Sequence, residues 1–71
     1  MRILVVIERA DANYAAYAPD VPGCVATGST RQETLERMRE ALRLHLQGMR
    51  EDGDALPDAF TSAEILEVPA A

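Results

Sequence analysis

The sequence predicts an α+β domain in which one helix packs on a four-stranded, mostly antiparallel sheet, with the element order βββαβ. Three observations indicate this fold class. The chain opens with a β-branched apolar run, its middle carries a long amphipathic pattern, and short segments bounded by Pro and Gly flank that pattern. At 71 residues the chain is long enough for one core only, so we treat residues 1–71 as a single domain.

The first strand is predicted at Arg2–Glu8, "RILVVIE". Both of its alternating faces are apolar, which is typical of a central strand covered on both sides. One helix covers only one face of a small sheet. We therefore expect the second face to meet another subunit.

Two further strands follow across short connections. "RADAN" (Arg9–Asn13) has the composition of a turn, so "YAAYA" is predicted as a second strand antiparallel to the first. "PDVPG" interrupts that strand. Cys24–Thr27 is then predicted as a short third strand that ends at Gly28.

The connection between the second and third strands forms a structural motif. Pro19 and Pro22 lack backbone donors where the second strand must stop, and Gly23 permits the turn. Cys24 is predicted to pack as a small hydrophobe, because free Cys is commonly buried. A catalytic thiol needs a nearby base, and the only His, His45, is expected on the packing or overhanging face of the helix.

A helix is predicted from an N-cap at Thr30 to about Glu51. Thr30 and Glu33 fit a capping box, and Ser29 with Gln32 fits one residue earlier. Apolar positions recur at three-four spacing along one face. They are Leu35, Met38, Ala41, Leu42, His45, Leu46 and Met49.

The end of the helix is expected to extend past the sheet. The helix would be roughly 30 Å long, so its part around His45–Arg50 is predicted to overhang and contact a partner. "EDGDALPDAFTS" is predicted as a loop with Gly53 as C-cap. Glu64–Val68 is predicted as a last strand parallel to the first, which gives the sheet order 3-2-1-4 by a right-handed crossover.

Composition and charge restrict the class of function. Hydrophobic residues make up 48% and charged residues 27% of the chain, as in globular domains. The net charge is −5 and every basic residue is Arg, which disfavours nucleic acid and favours a basic protein partner. No apolar run reaches the roughly 20 residues that span a bilayer, and no signal peptide is recognisable. We expect a cytoplasmic protein that contacts neither a membrane nor DNA.

Self-association is expected because the core is small. A single Cys permits no internal disulfide, and without a Cys/His cluster there is no structural zinc site. A homo-oligomer, dimer or tetramer, is the usual remedy. We expect no metal and no cofactor.

The carboxylates offer an alternative, a degenerate metal-dependent nuclease. Glu8, the Glu33–Glu40 segment and Glu64 or Glu67 would have to converge on divalent metal ions. The helix carboxylates equally suit a solvated face paired with Arg, and the first strand carries no carboxylate before its end. The sequence therefore favours a protein without catalytic residues.

One of the two tyrosines is a candidate partner contact. Tyr14 and Tyr17 are three residues apart and so lie on opposite faces of a strand. An exposed Tyr17 beside Pro19 and Asp20 would form a protein-binding patch or an ordinary surface. The sequence does not choose between these two possibilities.

The segment "YAAYAPDVPGCVATGSTRQETLERMREALRLHLQGMREDGDALPDA" resembles the HicB-like antitoxin family. The resemblance rests on an aromatic strand ending in Pro-Asp-x-Pro-Gly-Cys, a Gly-x-Thr cap, an amphipathic helix and a Gly-x-x-Leu-Pro loop, and it covers Met1 to Val68. It implies a truncated ribonuclease-H-like topology. It also implies binding and occlusion of a small basic HicA-type toxin, a ribonuclease that cleaves mRNA.

The resemblance also shapes the expected partners. Family members commonly carry a DNA-binding segment after this domain, and the sequence shows none, so we expect no operator binding. An orphan oligomeric protein-binding module is the alternative function. The predicted partner contacts are Tyr17, Pro19, Asp20, Arg39, Glu40 and Arg43.

Overall fold

The computed structural model describes residues 1–70 and shows a three-stranded antiparallel sheet with one helix on one of its faces. The elements are β1 (Val6–Arg9), β2 (Tyr14–Tyr17), β3 (Val25–Gly28) and α1 (Arg31–Glu51). The sheet order is β1-β2-β3, so β2 is central and β1 lies at an edge. The α+β class and the order of three strands before a helix are confirmed.

Strand alternation decides which side chains face the helix. Ile7, Ala16 and Ala26 are opposite one another in the ladder, and all three belong to the core or pack against it. The neighbouring row contains Val6, Tyr17 and Val25. This second row therefore lies on the outer face of the sheet, away from α1.

The first strand is shorter than the sequence predicts. Pairing with β2 starts at Val6 rather than Arg2, because Val6 is opposite Tyr17, the last residue of β2. Beyond Tyr17 the neighbouring chain turns away at Pro19, so the preceding residues have no strand beside them on that side. Ile3 and Val5 nevertheless pack against the core.

The turn after β2 is part of the core. The N–H of Val21 donates to the carbonyl of Ala18 at 3.1 Å, and that of Cys24 donates to the carbonyl of Val21 at 3.3 Å. These three side chains are buried. Gly23 has a φ of +85°, which favours glycine, while Pro22 stays exposed.

The helix begins at the predicted cap. Thr30 is the N-cap, and its Oγ1 accepts from the N–H of Glu33 at 3.0 Å. The Glu33 carboxylate accepts from Ser29 Oγ at 3.1 Å and pairs with Arg37 at 2.9 Å. These contacts hold the first turn, as a Thr N-cap does in general.

The helix ends where the sequence predicts, at Glu51. Asp52 is the C-cap, and Gly53 follows with a φ of +75°. The N–H of Gly53 donates to the carbonyl of Arg50 at 3.2 Å, and the N–H of Asp54 donates to that of Met49 at 2.8 Å. These bonds satisfy carbonyls that the helix itself leaves without partners.

The core lies between the helix and the turn. Met38 is fully buried and forms one cluster with Ala16, Ala18, Val21 and Cys24. The helix packs mainly over β3 and β2. It therefore leaves the β1 side of the sheet only partly covered.

The first half of the helix lies very close to β3. A Cβ on Gly28 would be 2.6 Å from Thr34 Oγ1 and 2.9 Å from the Thr34 backbone nitrogen. The guanidinium of Arg37 also donates to the carbonyl of Thr27 at 3.1 Å. Gly28 is therefore required for this close approach as well as ending the strand.

The last predicted strand needs correction, whereas His45 does not. His45 was expected on the packing or overhanging face of the helix, and its exposure fits the overhanging position. Glu64–Val68, predicted as a fourth strand, is not in the sheet, and Ile65, Leu66 and Val68 are 97%, 78% and 77% exposed.

The missing strand has a physical reason. A short segment becomes a strand only where a neighbouring edge accepts its backbone hydrogen bonds, and β1 offers a ladder of just four residues. The predicted order 3-2-1-4 is therefore 3-2-1 in this structure. The ribonuclease-H-like topology, which needs the fourth strand, is not confirmed.

Candidate functional site

Asp20 ties the turn after β2 to the loop that follows the helix. Its Oδ2 accepts from the N–H of Thr61 at 3.0 Å, and its Oδ1 accepts from the Thr61 hydroxyl. The Thr61 hydroxyl, followed by the Thr61 N–H, holds the pKa of Asp20 below its usual value. Asp20 is only 8% exposed, so its carboxylate stabilises the fold through Thr61. A direct contact between Asp20 and a partner remains a prediction.

The tie brings the loop beside the start of the chain. A shallow hollow of about 490 Å³ is bounded by both segments. Its lining residues are Arg2, Ile3, Leu4, Ala59, Thr61, Ser62 and Ala63. The segment after Ala63 therefore starts from a fixed base next to β1.

The outer face of the sheet carries an exposed apolar patch. Tyr17 and Val25 are paired neighbours and both are exposed, and Val6 is opposite Tyr17 on the other side. Pro19 is exposed two residues after Tyr17. Aromatic side chains on such a surface are typical of protein interfaces.

The predicted contacts on the helix form a charged group. Arg43 binds the Glu40 carboxylate with two nitrogens, Nη2 at 2.6 Å and Nε at 3.0 Å. This hydrogen bonding lowers the pKa of Glu40 and raises that of Arg43. Both side chains are well exposed, so the pair stabilises the fold little and its charges stay accessible to a partner.

The structure thus separates the predicted partner contacts into two surfaces. Tyr17 lies on the outer face of the sheet, whereas Arg39, Glu40 and Arg43 lie on the helix, which covers the opposite face. The two groups of predicted contacts therefore lie on opposite sides of the domain.

An apolar groove opens beside Arg39 and Arg43. It has a volume of about 430 Å³ and lies between the helix and the chain that leads into β1. Its apolar lining consists of Met1, Ile3, Val5, Leu35, Met38, Leu42 and Leu46. A fourth strand next to β1 would place its side chains here, so the groove marks the vacant position.

Cys24 is buried, in surroundings that disfavour the thiolate. Burial raises the pKa of the Cys24 thiol, the opposite of what a nucleophilic thiolate needs. Within residues 1–70, no three His, Cys, Asp or Glu side chains gather closely enough to hold a metal ion.

The helix itself is too polar for a bilayer. Across the part of the chain that the structure describes, no helix combines the length and apolar character that crossing a membrane requires.

Thr61 and the groove are the functional features that sequence reasoning missed. Thr61 is 41 residues from Asp20, so no local pattern connects them. The groove depends on the absence of the fourth strand, which the sequence predicted to be present. The one available signal in the sequence was the start of the chain, which is apolar on both of its faces. Apolar side chains such as Ile3 and Val5 need other residues to cover them from water.

Together these elements define a small α+β domain with an exposed apolar patch and an apolar groove. The profile of the family described as HicB-like antitoxin of bacterial toxin–antitoxin systems matches residues 3–70. The chain therefore belongs to the HicB-like antitoxin family.

Curated relatives come from a phage, an archaeon and a bacterium. A 14.9 kDa protein of the rep-hol intergenic region of Haemophilus phage HP1 is 34% identical over 65 residues, covering 92% of this chain and 49% of the relative. This chain thus spans about half the length of that phage protein. A UPF0150 protein of Archaeoglobus fulgidus is 32% identical over 96% of both chains. A UPF0150 protein of Helicobacter pylori is 36% identical over 73% of this chain and 72% of its own. No solved structure matches.

Proposed function

We propose that this protein is the antitoxin of a type II toxin–antitoxin pair and neutralises a small, basic, HicA-type ribonuclease that cleaves mRNA. The family match over residues 3–70 carries the proposal. The net charge of −5 suits a basic partner, because opposite charge speeds encounter and disfavours wrong partners. Inhibition would come from covering the catalytic surface of the toxin, without catalysis by the antitoxin.

The outer face of the sheet is the surface we propose for the toxin. Tyr17, Val25 and Val6 form an exposed or half-exposed row, and Pro19 extends it toward the turn. Such a patch buries apolar area on binding, and an aromatic anchor commonly carries much of the affinity. Asp20 supports this surface by holding the turn to Thr61.

The helix surface with Arg39, Glu40 and Arg43 is proposed as a second contact surface. It lies on the other side of the domain, so a different partner copy would use it. An antitoxin with two separate surfaces can bind its toxin and self-associate at once. Because the toxin would act on mRNA, we place the protein in the cytoplasm, with no cofactor and no direct contact to DNA.

Co-expression with the toxin tests the proposal. The candidate toxin is a short basic protein encoded next to this gene; its expression alone should arrest growth, and co-expression of this chain should restore growth and yield a co-purifying complex. Tyr17→Asp and Val25→Asp should abolish the rescue. Gln32→Ala, an exposed helix position, serves as the control and should leave the rescue unchanged.

The results also discriminate between functions. Persistent growth arrest with no complex overturns the antitoxin proposal. If the protein oligomerises but no short basic protein is encoded next to its gene, the orphan protein-binding module becomes the better interpretation. The exposed apolar residues of the outer face and of the Glu64–Val68 segment favour that alternative over any enzyme.

A further inference from the structure

The groove between the helix and the start of the chain lacks a cover. Ile3 and Val5 line it from the sheet side, and Leu42 and Leu46 line it from the helix. All four are only half-buried, although they are residues that normally fill a core. Arg39 and Arg43 lie along the same groove, so it is apolar inside and basic at its rim.

The segment Glu64–Val68, which we call the arm, has the complementary composition. Ile65, Leu66 and Val68 are almost fully exposed, and Glu64 and Glu67 are placed among them. In an extended chain Leu66 and Val68 lie on one face together with Glu64. That face would place two apolar side chains in a groove and a carboxylate at its rim.

The arm extends away from its own domain. Its base is fixed, because Thr61 is bound to Asp20 and the loop before the arm lies beside Arg2–Leu4. The apolar residues after that base keep most of their surface exposed, 97% for Ile65, 78% for Leu66 and 77% for Val68. A fixed projecting arm and an open groove of opposite charge on one chain are the two halves of a reciprocal contact.

We propose that two copies of this protein exchange arms, with Leu66 and Val68 of each copy packed in the groove of the other. Glu64, on the same face of the arm, pairs there with the guanidinium groups of Arg39 and Arg43. Arg43 already binds Glu40, but that exposed pair is weak, and an incoming carboxylate can share the guanidinium. The exchanged arm covers the groove, as the predicted fourth strand would. It also buries additional apolar surface against a small core.

The proposal concerns a contact between copies and is independent of the toxin. It assigns Arg39 and Arg43 to the second copy and leaves the outer face with Tyr17 for the toxin. Oligomeric state is therefore measured on the purified chain alone, and growth rescue is measured separately. Failure of one proposal does not imply failure of the other.

Sedimentation equilibrium of the full chain tests the exchange. The wild type should be a dimer, and Leu66→Asp with Val68→Asp should weaken the dimer by about tenfold or more, since each lost apolar contact is worth about one such factor. The groove variant Leu46→Asp should also weaken the dimer. Gln32→Asp, exposed on the same helix, should leave the dimer intact, and circular dichroism should show that every variant keeps its helix.

Mixing two defective variants gives the sharpest result. A chain with a defective arm keeps its groove, and a chain with a defective groove keeps its arm, so the mixture should form a heterodimer that neither variant forms alone as a homodimer. Reversing the charges (Glu64→Arg on the arm against Arg39→Glu with Arg43→Glu on the groove) should weaken the dimer when either side is changed alone and restore it when both sides are combined. A wild-type monomer, or a dimer that the arm variants do not weaken, overturns the proposal.

Discussion

The carboxylate of Asp20 accepts both the N–H and the hydroxyl of Thr61, a residue 41 positions further along the chain. This contact joins the Pro-rich turn after β2 to the loop after the helix. It also fixes the base from which the arm extends. The relative position of these two short segments thus depends on one pair of residues.

Replacing Asp20 should release the loop without unfolding the helix. In Asp20→Asn one acceptor oxygen becomes an amide NH2 group, a donor that faces the Thr61 donors, so we expect faster hydrogen exchange of the Thr61 amide and faster proteolysis of the loop. Asp58→Asn, at an exposed position in the same loop, is the control. Unchanged exchange at Thr61 would show that the tie is not significant in solution.

Lowering the pH should weaken the interaction between Asp20 and Thr61. The Thr61 hydrogen bonds lower the pKa of Asp20 below 3.8, so the folded form binds a proton less readily than the unfolded chain does. The contribution to stability is therefore full above about pH 3.8 and is lost as the pH falls through the lower pKa of the folded state. Titration of the Asp20 carboxyl by NMR checks this, and a midpoint at or above the ordinary value would contradict it.

Two glycine substitutions should have opposite effects on stability. Gly28→Ala places a Cβ within 2.6 Å of Thr34 Oγ1 and 2.9 Å of its backbone nitrogen, so we expect a loss of about 1–3 kcal/mol in the free energy of unfolding. Gly48→Ala has open space around the new Cβ and should gain about 1 kcal/mol, the helix preference of Ala over Gly. Urea denaturation measures both, and equal effects would refute the close approach of helix and β3.

Truncation of Met38 should remove most of the stability. Met38 is the largest fully buried side chain, and replacing it with Ala leaves a cavity that costs about 2–5 kcal/mol. Met38→Leu conserves volume and should cost less than about 1.5 kcal/mol. Thermal denaturation followed by circular dichroism compares them; a Met38→Ala protein as stable as the wild type would show that the core lies elsewhere.

The helix was predictable because its signals are local. Thr30 and Gly53 define its ends, and Met38 and Leu42 mark its buried side by spacing alone. His45 fits the same spacing but is exposed. Periodicity gives the direction of a side chain, whereas burial also requires something opposite it, and the sheet does not extend that far.

The sequence predicted the turn between β2 and β3 but not the hydrogen bonds between Asp20 and Thr61. Gly23 has the positive φ expected of a turn glycine, and Cys24 is buried. Asp20 was predicted as a surface residue beside Tyr17, because nothing in its sequence neighbourhood indicates Thr61. A hydrogen bond across 41 residues depends on the path of the whole intervening chain.

The sequence by itself determined the helix, the turns and the alternation of β1, β2 and β3, since each depends on residues at most a few positions apart. Only the tertiary structure decided where β1 starts to pair, which surface Tyr17 occupies, and that Glu64–Val68 stays outside the sheet. The physical reason is that a helix satisfies its own backbone, whereas a strand needs the edge of another strand. The arm has strand composition but is not paired with β1, the edge strand of its own chain, and local sequence does not reveal whether such a pairing forms.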